Sequence, residues 1–229
     1  MRAPFRRRPY FLVHLAKDLK IEWRSKDSAN AMLFFALLVV AIFSLAFDPT
    51  NPYLQKFTGA IVCVAILFAA MSALNQVWAR ELQNQVLDAQ RMTNAGANDL
   101  FIGKVLANFI LLTIVEIILT PIFVIFYNLN VVGQPWLLAL IIPLGTWALT
   151  VNGVFFAALS IRSRSREMLL PLVLLPIFIP ALLAMVMSTT AVLTGTSDPT
   201  LWIKMLAVYD VIFTTVCLLL FDTVLHAEG

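Results

Sequence analysis

The chain has 229 residues, 61% of them hydrophobic and only 13% charged, with a formal net charge of +3. Soluble domains carry about a quarter charged residues, so lipid is the solvent that most of this surface requires. Long apolar runs and short connections take up the length and leave no stretch for a separate soluble catalytic domain.

The first element expected is an amphipathic helix over residues 10–26. Leu12, Leu15, Ala16, Leu19 and Trp23 recur at helical spacing, while Lys17, Lys20 and Arg24 point elsewhere. That pattern suits a helix lying in a membrane interface. It is either an anchor that orients the first span or a connecting helix that also holds a cytoplasmic partner. Six apolar runs follow: Ala29–Phe47, Thr58–Val77, Leu100–Tyr127, Trp136–Leu159, Met168–Val192 and Trp202–Leu225. Each holds about 20 or more residues, enough at ~1.5 Å rise to cross a ~30 Å hydrocarbon core. The first is too long for a signal-peptide core and lacks a cleavage pattern, so it is expected to be retained. The fold class expected is therefore all-α: a polytopic integral membrane protein forming one transmembrane domain over 1–229.

Fourteen of the sixteen basic residues lie before the first run, in or beside the second connection (Arg80, Arg91, Lys104), or in the fourth (Arg162, Arg164, Arg166). Only Lys56 and Lys204 flank the other connections. By the positive-inside rule both termini are cytoplasmic, as an even number of spans requires, and the basic patches set topology rather than bind nucleic acid. Arg162, Arg164 and Arg166 form a compact cation patch suited to anionic headgroups.

The second connection, Trp78–Lys104, is several times longer than a hairpin needs. Trp78, Leu82, Val86 and Ala89 make one apolar face; Glu81, Gln85, Asp88 and Arg91 take others. A helix over 80–94 is expected, failing at Asn94–Gly96, with Asn98 or Asp99 capping the next helix. It is read as a docking helix for a cytoplasmic protein, with a passive interfacial helix as the alternative. The outward connections are brief and nearly uncharged, so they cannot enclose a polar substrate site.

Two acids fall inside spans, Glu116 and Asp210, at similar expected depth. Intramembrane ionisable groups mark functional sites by default. The alternative is a carboxyl bonded to a neighbouring helix, with Thr113, Thr120, Thr214 and Tyr209 as candidate partners. Pro121, and Pro171, Pro176 and Pro180 in the fifth span, each remove a helical amide and are read as hinges or as static irregular packing. Cys63 and Cys217 have no paired spacing and read as small buried apolar groups. No phosphate-binding GxxxxGK[ST] loop, HExxH, GxGD or GxSx pattern occurs, and neither His14 nor His226 lies in a span; nucleotide hydrolysis through such a loop, protease and lipase chemistry, and intramembrane metal ligation have no residues to carry them.

WARELQNQVLDAQRM, then ANDLFIGKVLANFILLTIVEIILTPIF, then LLPLVLLPIFIPALLAMVMSTTAVLTG resemble the B subunit of cytochrome c maturation systems, the haem exporter protein B family. Gly103, Lys104, Leu106–Asn108, Val115–Glu116 and Pro121 carry the resemblance most specifically. Residues 89–94 depart from the family's usual Leu- and Arg-rich stretch, so the docking surface is expected to suit a divergent partner. The resemblance implies an ABC-2-type permease fold in the bacterial cytoplasmic membrane, without catalytic residues, metal or bound cofactor of its own. It implies partners too: a cytoplasmic ATPase that binds ATP, membrane subunits that handle haem, and a haem chaperone. Arg80, Glu81, Leu82, Gln85, Val86, Asp88, Ala89 and Arg91 would form the coupling helix, and residues 10–26 the connecting helix. Charge reversal at Glu81, Asp88 or Arg91 is expected to uncouple the complex without unfolding the bundle. Two other readings are an ABC-2 exporter of lipid, polysaccharide or drug, and a non-transporting scaffold of an assembly complex. A membrane prenyl or acyl transferase lacks the clustered Asp or His it needs.

Overall fold

A computed structural model describes residues 10–46, 57–78, 81, 96–127, 134–160, 166–195 and 197–226. Among them stand seven α-helices and no strand: α1 (Tyr10–Ser25), α2 (Asp27–Ala46), α3 (Thr58–Leu74), α4 (Ala97–Tyr127), α5 (Leu138–Leu159), α6 (Arg166–Thr194) and α7 (Thr200–His226), with a single 3-10 turn, Pro135–Leu137, leading into α5. Six stretches, one from each of α2 to α7, are long and apolar enough to cross a membrane, matching the six runs in order.

α5 occupies the middle, packing against α3, α4, α6 and α7. Lipid tails are as apolar as leucine, so close approach, rather than exclusion of water, holds such helices together. The sequence supplies the means. Gly145 on α5 abuts Met185 on α6, Gly153 on α5 abuts Leu74 on α3, and Gly59 on α3 abuts Thr190 on α6. The periphery is the reverse of a soluble surface: Leu45, Ile125, Leu172 and Leu219 are largely exposed, as lipid-facing side chains must be.

Pro121 lies inside α4, and Pro171, Pro176 and Pro180 inside α6; Pro143 adds one more inside α5. All three helices run through without a break. Side chains bond backbone carbonyls beside these sites: Thr120 Oγ1 donates to Glu116 O (2.8 Å), just before Pro121, and Tyr209 Oη donates to Ile177 O (2.9 Å), between Pro176 and Pro180. α4 starts at Ala97, one or two residues before the capping residues expected at 98 or 99. Its first amides turn back to Gly96 O, and Asp99 sits in the first turn, where its charge still suits the helix dipole.

α1 meets α2 at an elbow formed by Lys26, which has φ 57°. A non-glycine residue in that conformation costs about 1–2 kcal/mol. Glu22 holds the elbow closed. Its carboxylate accepts the N–H groups of Ser28 (2.7 Å) and Ala29 (3.1 Å) and the Ser28 hydroxyl (2.9 Å), so it caps the start of α2.

Candidate functional site

The polar groups of the chain converge where α1 crosses the start of α4. Gly103 makes the crossing possible. A Cβ there would stand 2.7 Å from His14 Cβ and 2.9 Å from Phe11 O, so a larger residue forces α1 away. The next residue, Lys104, is 2% exposed and all three of its N–H bonds find acceptors. Nζ lies 2.8 Å from Glu81 Oε1, 3.0 Å from Val77 O and 3.4 Å from Asp18 Oδ2. It also stands 4.5 Å above the Trp78 ring, a cation–π contact.

Lys17 completes the cluster, 2.8 Å from the same Glu81 oxygen and 3.1 Å from Asp18 Oδ1. Two ammoniums and two carboxylates thus neutralise one another, the condition under which buried charge is tolerated. Burial pushes the Glu81 carboxyl upward, but Lys104 and Lys17 outweigh it and hold the group below the usual carboxylate range. Burial draws Lys17 down, and Asp18 with Glu81 more than reverse that, leaving it raised. His14, with the Lys17 charge near it, is lowered, mainly by burial.

The cluster is tied to the rest of the bundle. Trp78 donates from Nε1 to Val154 O on α5 (3.2 Å) and stacks on Phe221 of α7, which also packs on Phe101. Gln76 Oε1 accepts the Ser28 hydroxyl (3.0 Å). A cavity of about 60 Å³ lies among Asp18, Glu22, Gln76, Glu81, Lys104 and Asn108, roomy enough for a water or two. The arrangement holds no nucleophile set against a base. It can fix α1, residue 81 and α4 in one mutual position, a mechanical rather than a catalytic capacity.

Of the eight residues expected on the docking helix, Glu81 is described, and it is helical. Arg80, Leu82, Gln85, Val86, Asp88, Ala89 and Arg91 lie outside the described residues, as do Arg162 and Arg164; Arg166 opens α6. At 6% exposure and with two ion pairs, Glu81 faces inward. Reversing its charge therefore breaks a buried network, contrary to the expectation that the bundle would be spared. On α1, Leu12 and Trp23 of the apolar stripe are exposed and Leu15 and Leu19 half-buried, as an interfacial helix allows, while Glu22 is buried and Asp18 joins the cluster. Lys104, Lys17, Asp18 and Glu22 were not singled out as site residues from sequence. Their signal was the pair of acids one turn apart on an otherwise basic helix, and a lysine next to a glycine at the start of a span.

The two intramembrane acids lie on opposite sides of one turn of α5. Glu116 Oε1 pairs with Thr146 Oγ1, and Oε2 has no partner among the described residues. Asp210 lines a groove with Leu144 and Trp147, and neither of its oxygens is hydrogen-bonded there. None of the partners expected from sequence serves either carboxyl. Thr120 and Tyr209 donate to backbone carbonyls, Thr214 accepts from Trp147 Nε1 (3.0 Å), and the Thr113 hydroxyl has no partner. Thr146, a whole helix away in sequence, was the one missed. Cys63 and Cys217 are free and buried.

Six apolar spans and a peripheral N-terminal helix locked onto them by buried ion pairs define a multi-pass helical membrane protein. The family model described as CcmB protein matches residues 10–226, and the chain belongs to that family. Similar curated proteins include Heme exporter protein B of Pseudomonas aeruginosa, 29% identical over 76% of this chain and 77% of the relative. The same-named proteins of Rhodobacter capsulatus (27% identical; 74% and 77% covered) and Haemophilus influenzae (29%; 76% and 78%) are comparably similar.

Proposed function

We propose that this chain is the membrane permease subunit of an ABC-type complex that delivers or exports haem for c-type cytochrome biogenesis, in the bacterial cytoplasmic membrane with both termini inside. Its relatives are named heme exporter protein B, and the family match over 10–226 carries the reading. ATP is bound and hydrolysed on a separate cytoplasmic ATPase; haem is cargo, passed among partner membrane subunits and a chaperone. Residues 80–94 form the coupling helix. ATPase closure pushes this helix, and the Glu81–Lys104–Lys17–Asp18 clamp passes the push to α1 and α4 as one body. Pro121, Pro171, Pro176 and Pro180 give α4 and α6 the compliance to relay it outward.

The clamp supports coupling because it joins Glu81 to a span through a fully satisfied buried lysine. Asp88→Arg and Arg91→Glu test the reading. Each is expected to leave the membrane level of the chain unchanged, to weaken co-purification of the ATPase and to lower c-type cytochrome yield. Full yield with full ATPase recovery in both variants contradicts the coupling role and favours the scaffold alternative. Normal cytochrome yield in a strain lacking the chain, with altered lipid or polysaccharide export, favours the other exporter reading.

A further inference from the structure

Beside Asp210, α5 and α7 part to form a groove of about 550 Å³, open along its length and lined by Leu144, Trp147, Ala207, Val211, Thr214 and Thr215 as well as the acid. It lies within two spans, so its mouth faces lipid. Asp210 is 6% exposed, and both of its oxygens are buried without a hydrogen-bond partner among the described residues. An unpartnered carboxyl in hydrocarbon costs several kcal/mol on the order of any buried polar group left unpaired. The chain nevertheless places it in the lining of this open groove. Acyl tails can fill such a groove but donate no hydrogen bond.

We propose that this groove is the seat for a transmembrane helix of a partner membrane protein that presents a side-chain hydrogen-bond donor, an amide, hydroxyl or cation, at the depth of Asp210. The proposal rests on the reading that the chain works in a membrane complex and specifies the surface used. Complementarity argues against a second copy of this chain as occupant. A two-fold contact on this face sets acid toward acid; of its hydroxyls Thr215 already donates to Val211 O at 2.7 Å, and Thr214, which accepts from Trp147 Nε1 at 3.0 Å, is the one donor that a second copy could bring. Val211 and Val208 form an apolar, exposed shoulder for the incoming helix.

The test is photocrosslinking in native membranes from a benzophenone amino acid at Val211, with the ATPase followed by co-purification. The expected adduct is a protein whose crosslinked peptide lies in an apolar stretch long enough to span and contains a donor residue. Asp210→Leu lowers that adduct roughly tenfold, as loss of one interhelical hydrogen bond in lipid permits, and Asp210→Asn, which keeps bonding capacity, retains it. Thr215→Trp, which fills the groove, lowers it too. ATPase recovery stays at the level of the unsubstituted chain in all three. Adducts to lipid alone, a band containing only two copies of this chain, or an adduct unchanged by Asp210→Leu overturns the proposal. Absence of the ATPase from the unsubstituted preparation counts against the coupling reading and leaves this result to be read independently.

Discussion

Lys104 bonds to Asp18 on α1 and to Val77 and Glu81 at the start of the second connection while almost wholly buried, so its removal should be felt beyond its own helix. Breaking a buried pair by removing one partner costs about 3–5 kcal/mol. Because Lys17 still faces Glu81, Lys104→Met should fall nearer the bottom of that range in a denaturant titration of the detergent-solubilised protein. Glu81→Lys alone should be worse, and adding Lys104→Glu should not repair it, because the exchanged charges then meet Lys17 and Asp18 with like sign. In the cycle of Lys104→Met and Glu81→Gln the double variant should lose less than the two single losses together, and strict additivity would mean that the residues do not interact. The pH dependence has a definite sign. Glu81 is held below its ordinary 4.5, so its contribution is present above that pH and is lost as pH falls through the lower folded value. His14 is lowered from 6.5, which favours its uncharged form in the folded state and erodes stability as pH falls below 6.5. Lys17 is raised above 10.5, so its contribution holds below 10.5 and disappears as pH climbs through the higher folded value. Thermal melting should therefore show a plateau between neutrality and about pH 10, and a two-step acid limb. His14→Gln should remove the upper step and Glu81→Gln the lower. Within the spans, Thr146→Val takes away the hydroxyl that meets Glu116 and should cost about 1–3 kcal/mol, while Glu116→Gln, which keeps hydrogen-bonding capacity, should cost less.

At the scale of elements, α1 is held by shape as well as charge. Gly103→Val places side-chain atoms where His14 and the Phe11 carbonyl now lie, a clash worth about 1–3 kcal/mol. In a chain whose cysteines at 63 and 217 are replaced by alanine, a cysteine at Leu15 should become several-fold more reactive to a water-soluble thiol reagent when Gly103→Val is added. Unchanged reactivity would show that α1 is held without this contact. The spans themselves were legible because an apolar run of membrane length needs no partner to be recognised. α1 was legible as a helix from its Leu12–Trp23 periodicity, but not as to which face packs. The stripe suits an interface, and nothing in it tells that Asp18 and Glu22 turn toward the bundle. The clamp was hidden for a related reason. Its members are separated by as many as 86 residues in sequence, and Lys104 looked like one more topology charge. Glu116 and Asp210 were visible as anomalies, yet Thr146 could not be matched to Glu116 before α4 and α5 were placed side by side.

For the whole molecule, the account requires an inside and an outside. The end that carries α1, Glu81 and Lys104 is the end that receives work, and the opposite connections are too brief to do the same. Reporter fusions at residue 85 and at the C-terminus should both report cytoplasm, and fusions in the 128–134 connection should report the far side. Placing 85 and 128–134 on one side would be incompatible with α4 as a span. Positive-inside charge carries the expectation of this orientation; the partner's contact surface was not legible, because nothing in one chain's composition names the protein it meets. The measurement that tests the account most directly is crosslinking from a photoreactive residue at Gln85 in native membranes, compared between the unsubstituted chain and Lys104→Met and normalised to the chain present in the membrane. The account predicts an adduct to a nucleotide-binding ATPase that falls several-fold in Lys104→Met. An ATPase adduct of equal strength in both, or none in either, would contradict it.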